Sequence, residues 1–241
     1  MALRPQLERQ VVEMAVQHGM PGEWAKVRGT VLSLWPLGIC LVCLGAFAAA
    51  TVLGRRLELF GALFAVSAIA VAVWWRRGLH RVESFFKGAR GEEIVAAMFA
   101  RLPDVWHVFH DFEAGKFHVD HVLVGPAGVF AVETKNWRDV VTLESGEVIA
   151  GGHVPNHPPV AQASAEAKAV KAALGRAGWT GEVAPVVCFA SGTFQDGLAK
   201  AGTVLVANAD AFLQWLQKQP GALAANECAR LTQLMETRGT R

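Results

Sequence analysis

Charged residues vanish from the chain twice near its start: none occurs in the 26 residues Gly29 to Gly54, nor in the 17 from Leu59 to Trp75. Only Arg55-Arg56-Leu57-Glu58 separates the two stretches. At about 1.5 Å per helical residue they would reach about 39 Å and 25 Å, against a hydrocarbon core of roughly 30 Å. The pattern predicts a two-helix transmembrane hairpin over residues 29–77, with Trp74-Trp75 and Arg76-Arg77 anchoring the shorter span at the interface. Gly61, Ala65, Ala68 and Ala72 fall on one narrow face, which predicts close packing of the two helices into a tight hairpin. A buried helix pair in a soluble protein is the plain alternative, and the two long uncharged runs with a charged break argue against it. The run also begins too late, and is too long, for a signal peptide.

Ahead of the first run, Leu7, Val11, Met14 and Ala15 line one side of residues 5–18, with Glu8, Arg9 and Glu13 elsewhere. Residues 1–28 therefore read as an amphipathic N-terminal segment, its helix broken at Gly19 and Pro21. Lys26 and Arg28 before the first span, and Arg76, Arg77 and Arg81 after the second, outnumber Arg55 and Arg56 in the connecting loop. That bias predicts both termini on the cytoplasmic side of a multi-pass membrane protein, of bacterial inner-membrane type.

Beyond Gly78 the pattern is that of an independent domain over residues 78–241. Ile94, Val95, Met98, Phe99 and Leu102 make a helical stripe over Glu83–Arg101, with Gly88 and Gly91 at its start or at an internal break, and Pro103 stops it. Residues 106–112 alternate as a strand, and two β-rich runs, 119–124 and 129–135, flank Gly125-Pro126-Ala127-Gly128 as a hairpin. An Ala-rich helix over 160–174, buried strands over 183–189 and 203–206, and helices over 210–219 and 223–235 complete the order. Together they predict an α/β fold, a mixed β-sheet flanked by helices, and not a doubly wound nucleotide-binding fold.

Composition narrows the chemistry. The hydrophobic share is 52% and the charged share 18%, so the chain is no disordered polyelectrolyte, and its four cysteines make no disulfide framework. Residues 1–77 carry a formal charge of +4 and the remainder −2, so the basic balance belongs to the apolar segment. Any phosphate recognition by the later domain must come from local groups and a metal rather than from net charge.

A turn symmetric about Pro126 and Ala127 pairs positions that sum to 253, so Asp120 faces Glu133, and Lys135 shares Glu133's side of its strand. Two carboxylates so placed repel unless a cation intervenes, and hard oxygen donors at that spacing suit Mg²⁺ or Mn²⁺. The alternative is a surface ion-pair cluster in which Lys135 merely neutralises Glu133. His107, His110, His118 and His121 offer a weaker zinc hypothesis, since 118 and 121 point to opposite faces of one strand.

Asp120 followed by Glu133-Thr134-Lys135 resembles the D…(D/E)xK signature of the restriction-endonuclease-like nucleases. The wider strings resemble the nuclease-related domain, NERD, over a core of about residues 87–190: Gly88-Ala89-Arg90-Gly91-Glu92, Val119-Asp120-His121-Val122-Leu123-Val124-Gly125-Pro126 and Gly128-Val129-Phe130-Ala131-Val132-Glu133-Thr134-Lys135-Asn136. The family's Asn-Pro-x-x-Gln motif keeps its Pro and Gln here, as Pro159 and Gln162, with Pro158 in place of the Asn. The resemblance implies a restriction-endonuclease-like fold and metal-dependent hydrolysis of phosphodiesters in DNA or RNA. It implies that Asp120, Glu133, the Thr134 carbonyl and Glu92 hold Mg²⁺ or Mn²⁺, while Lys135 activates the attacking water and Gln162 takes part in the site. A membrane-tethered nucleic-acid-binding or scaffold protein with an inactive site is the alternative.

Overall fold

The computed structural model describes residues 14–54 and 57–239. They divide into two compact units: Gly22–Arg90, and the segment ending at Pro21 together with the chain from Gly91 onward.

The first unit is made of α1 (Glu23–Val52) and most of α2 (Leu57–Phe99). Stretches of both are long and apolar enough to cross a membrane, and their most apolar windows are only 6% and 0% buried. Aromatic rings join the helices: Trp35 meets Trp74 edge-on at 5.1 Å between centroids, Phe47 stacks on Phe64 at 6.1 Å, and Trp24 meets Phe85 at 6.1 Å. The expected small-residue interface is corrected accordingly. Ala65 and Ala72 are exposed, Ala68 is half-buried, and Gly61 lies against the Phe47 ring. Interleaved rings supply the contact that small residues would otherwise make by close backbone approach.

Two further expectations change. α2 runs unbroken through Gly88 and Gly91, so no helix starts at Glu83. Met14 to His18 is not helical: Val16–His18 is a strand, β1, held by parallel pairing with His107 to Phe109. Tertiary pairing overrides the helical spacing of this short apolar pattern. The rest of the expected amphipathic helix, and Arg55 and Arg56, lie outside the described residues.

The second unit is a mixed seven-stranded sheet flanked by helices. Besides β1 it contains β2 (His107–Ala114), β3 (Phe117–Gly125), β4 (Gly128–Lys135), β7 (Val183–Phe189), β8 (Leu198–Ala201) and β9 (Val204–Asn208), in the order β1-β2-β3-β4-β7-β9-β8. A separate hairpin, β5 (Val141–Glu144) with β6 (Glu147–Ala150), follows β4. Helices α3 (Pro159–Gly175), α4 (Ala209–Gln217) and α5 (Ala225–Gly239) complete it.

Period-2 alternation sorts the side chains between two cores. On one face Leu123, Phe130, Val132, Val186 and Ala207 meet Val95 and Phe99 of α2 and Phe212 and Leu216 of α4. On the other, Val122, Val124, Val129 and Ala131 meet Val170 and Leu174 of α3 and Leu231 and Met235 of α5. The central strands are covered on both faces, so β4 and β7 read as nearly continuous apolar runs.

Two glycines of the motif strings are explained by close approach. A Cβ on Gly91 would stand 2.6 Å from the Asn136 Cβ, and one on Gly125 would stand 2.3 Å from the buried Trp106 ring. Gly125→Ala is therefore expected to destabilise the chain by about 1–3 kcal/mol, as overpacking does. The check is the thermal melt of the detergent-solubilised full chain; an unchanged melt would mean that the indole yields freely.

Candidate active site

The hairpin pairs as its turn predicts, from Gly125↔Gly128 to His121↔Val132, every pair summing to 253. The next step sets Asp120 against Glu133, and there the ladder ends. β4 continues beside β7 as far as Lys135↔Phe189, while β3 continues beside β2 as far as Phe117↔Ala114. The sheet thus forks between β3 and β4.

The backbone at the fork is distorted. Asp111, opposite Asp120 on β2, has φ 49°, a left-handed conformation uncommon for a non-glycine residue. Val119 and Val122 enter the same core, as do Phe109 and Phe112, spacings that strict alternation forbids. The local twist shifts the facing of both strands at this point. Asp120 fills the gap: its Oδ2 accepts a 2.7 Å hydrogen bond from the Thr134 N–H, replacing the β3 backbone partner that Thr134 lacks.

Side chains gather around this opening from both faces. Lys135 Nζ donates to Glu133 Oε1 at 2.5 Å and to Gln162 Oε1 at 3.1 Å. Gln162 Nε2 in turn donates to Glu166 Oε1 at 3.0 Å. Gln162 and Glu166 stand one turn apart on α3, whereas Glu92 comes from the last two turns of α2. Glu92, Glu133 and Glu166 are all buried.

Acid crowding sets the electrostatics. Burial, then the negative charges of Glu133 and Glu92, push the Asp120 carboxyl well above its ordinary range, against the pull of the Thr134 N–H. Burial and Glu133 likewise push Glu166 up to about 9. Burial works against the Lys135 ammonium, but the Glu133 carboxylate outweighs it and holds the group above the usual lysine value. Glu133 Oε2 and Glu166 Oε2 are buried without a hydrogen-bond partner. The opening is thus rich in carboxylate oxygen and short of positive charge.

Asp120, Glu133, Lys135 and Gln162 come together as expected, and Glu92 lies within electrostatic reach of Asp120. Thr134 contributes its N–H; its hydroxyl is buried and without a partner. Pro158 stands at the N-cap of α3 and makes no side-chain cap, yet Gln162 still reaches Lys135, so the missing Asn does not displace it. Glu166 was missed. Its signal was present in the sequence, an acid four residues after Gln162 on the buried stripe of an Ala-rich helix.

The histidines form no zinc centre. His110 and His121 face each other Nδ1 to Nδ1 at 2.8 Å, while His118 stands near Glu113 at 3.7 Å. Lys171, on the exposed side of α3, is paired with Glu182. Among the described residues no group of three or more His, Cys, Asp or Glu side chains is arranged to hold a metal ion by itself.

Residues 87–190 match the family model for NERD, the nuclease-related domain. No curated protein and no solved structure matches the chain.

Glu166 also generates a pH dependence. A carboxyl raised in the folded state contributes stability that is complete below its unfolded value and is lost as pH rises through the folded one, here about 9. Melting temperature should therefore fall between pH 5 and pH 9, and Glu166→Gln, which keeps an acceptor for Gln162, should flatten that fall. Parallel melting curves for the two proteins across this range would contradict the assignment.

Proposed function

Taking the nuclease-related domain at residues 87–190 as its premise, we propose that the chain is a membrane-anchored, metal-dependent nuclease that hydrolyses phosphodiester bonds of DNA or RNA. The observation that carries this reading is the convergence of Asp120, Glu133 and Lys135 at the strand fork.

The donor set fits Mg²⁺ or Mn²⁺. Mg²⁺ keeps several waters and needs only one or two carboxylates, so Asp120 and Glu133 suffice, with Glu92 beside them. The unsatisfied Glu133 Oε2 and the mutual repulsion that raises Asp120 are what a cation would relieve. Thr134, whose N–H already meets Asp120, would add its carbonyl oxygen to that set. When bound, such an ion supplies a more acidic water and neutralises phosphate charge.

The chain's own residues do the rest. Thr134 N–H fixes the Asp120 carboxylate by holding one oxygen, which leaves the other free to act. Glu133 and Gln162 orient the Lys135 ammonium from two sides, and that ammonium stabilises negative charge growing on the phosphorane. Glu166 holds Gln162 in turn. It serves as a positioning residue, one hydrogen bond behind the lysine.

The membrane half of the reading rests on exposure. Val42 and Ile69, 73% and 65% exposed, belong to helices whose apolar surface calls for an apolar medium. Arg76, Arg77 and Arg81 beyond the second span favour a cytoplasmic domain.

Asp120→Asn, Glu133→Gln and Lys135→Ala should each lower Mg²⁺-dependent cleavage of labelled DNA and RNA by at least about 100-fold, the scale of losing a preorganised charge. Their melting temperatures should remain near that of the parent. Cleavage that all three variants retain would refute the site, and nucleic-acid binding without turnover by the parent would favour an inactive binding module. The chain should also stay in the membrane pellet through an alkaline carbonate wash; release would refute the anchor.

A further inference from the structure

Between α1 and α2 lies a cleft of about 830 Å³ that the nuclease reading does not use. Its walls change character along their length. Ala70 and Val73 make one end apolar, Trp35 and Trp74 stand next to them, and Arg28, Arg77 and Arg81 line the other end, with Leu32, Val82 and Phe85 beside them. The residues lie on two facing stripes, at helical spacing of 28, 32 and 35 on α1 and of 70, 73 or 74, 77 and 81 on α2.

No carboxylate lines the cleft. Among the described residues neither Arg77 nor Arg81 is ion-paired, and Arg28 rests on the Trp24 ring at 4.8 Å. Three guanidinium groups in one pocket repel each other, and an anion with several oxygens is their natural partner. The apolar end excludes a wholly hydrophilic occupant, because Ala70 and Val73 would be left against water. The tryptophans sit between the two regimes, where amphipathic rings collect at a headgroup boundary.

We propose that this cleft binds one anionic phospholipid, its phosphate among Arg28, Arg77 and Arg81 and an acyl chain running past Trp35 and Trp74 along Val73 and Ala70. The site rests on the membrane insertion proposed above and makes the anchor selective for anionic lipid as well as apolar.

The test reconstitutes the full chain into vesicles of equimolar phosphatidylcholine and phosphatidylglycerol, extracts it gently and counts retained lipids by native mass spectrometry. Phosphatidylglycerol should be retained preferentially. Arg77→Gln with Arg81→Gln should lose about 25-fold in that retention, roughly fivefold per cation. Arg76→Gln, which removes a neighbouring charge outside the cleft, should lose little. Millimolar glycerol 3-phosphate should not displace the lipid; displacement would mean a soluble-anion site and would overturn the proposal. Equal retention of both lipids, or an Arg76→Gln effect as large as the double variant's, would overturn it while leaving the anchor standing. Failure to enter the vesicles would remove the anchor and this site with it. A second copy of the chain filling the cleft, seen as a lipid-free dimer, would also overturn it.

Discussion

Two carboxylates set opposite each other on neighbouring strands repel, and a sheet tolerates them only if something other than a regular ladder intervenes. In this chain the ladder between β3 and β4 stops at that pair. Everything at the candidate site follows from that opening. Asp120 turns its carboxylate to the orphaned Thr134 amide, and Lys135 closes on Glu133. The distortion opposite, at Asp111, lets β2 and β3 stay paired while their side chains change face. A regular strand pair would instead seal the acids into one or other core.

The fork also explains why helices from both faces contribute. An opening in the middle layer of a three-layer fold can be reached from either side. The end of α2 brings Glu92 and α3 brings Gln162 and Glu166. Close contact is needed to hold them there. Gly91 admits the Asn136 side chain at the end of β4, and Gly125 admits Trp106 at the hairpin turn. These glycines have a steric place in the motif strings, and the acids beside them are the ones that gather at the fork.

The apolar unit is built on a different principle. Its helices meet through aromatic pairs, and most of their surface faces outward. Rings that bridge two helices leave room between them, whereas a stripe of glycine and alanine would close the gap. The cleft lined by three arginines is the consequence of that choice of side chain.

Much of this was legible in the sequence because it rests on local rules. Uncharged runs mark the apolar helices, strict alternation marks the strands, and a four-residue turn sets the register that brings Asp120 opposite Glu133. The motif strings carried the family resemblance for the same reason, since a tight turn and the spacing of Asp120, Glu133 and Lys135 across one hairpin are short-range. Other features depended on partners distant in the chain. Val16–His18 became a strand only because β2 offered an edge, and Gly91, which lies within α2, packs on Asn136 from far along the chain. Glu166 joined the site because α3 lies across the fork, and the aromatic rings displaced the small-residue stripe as the helix contact. The sequence by itself determined most of the elements, the register of the β3–β4 hairpin and the identity of the central acids and lysine. Only the tertiary structure decided where the sheet opens and which helices reach that opening, because both depend on packing between segments far apart in the chain, which no local spacing encodes.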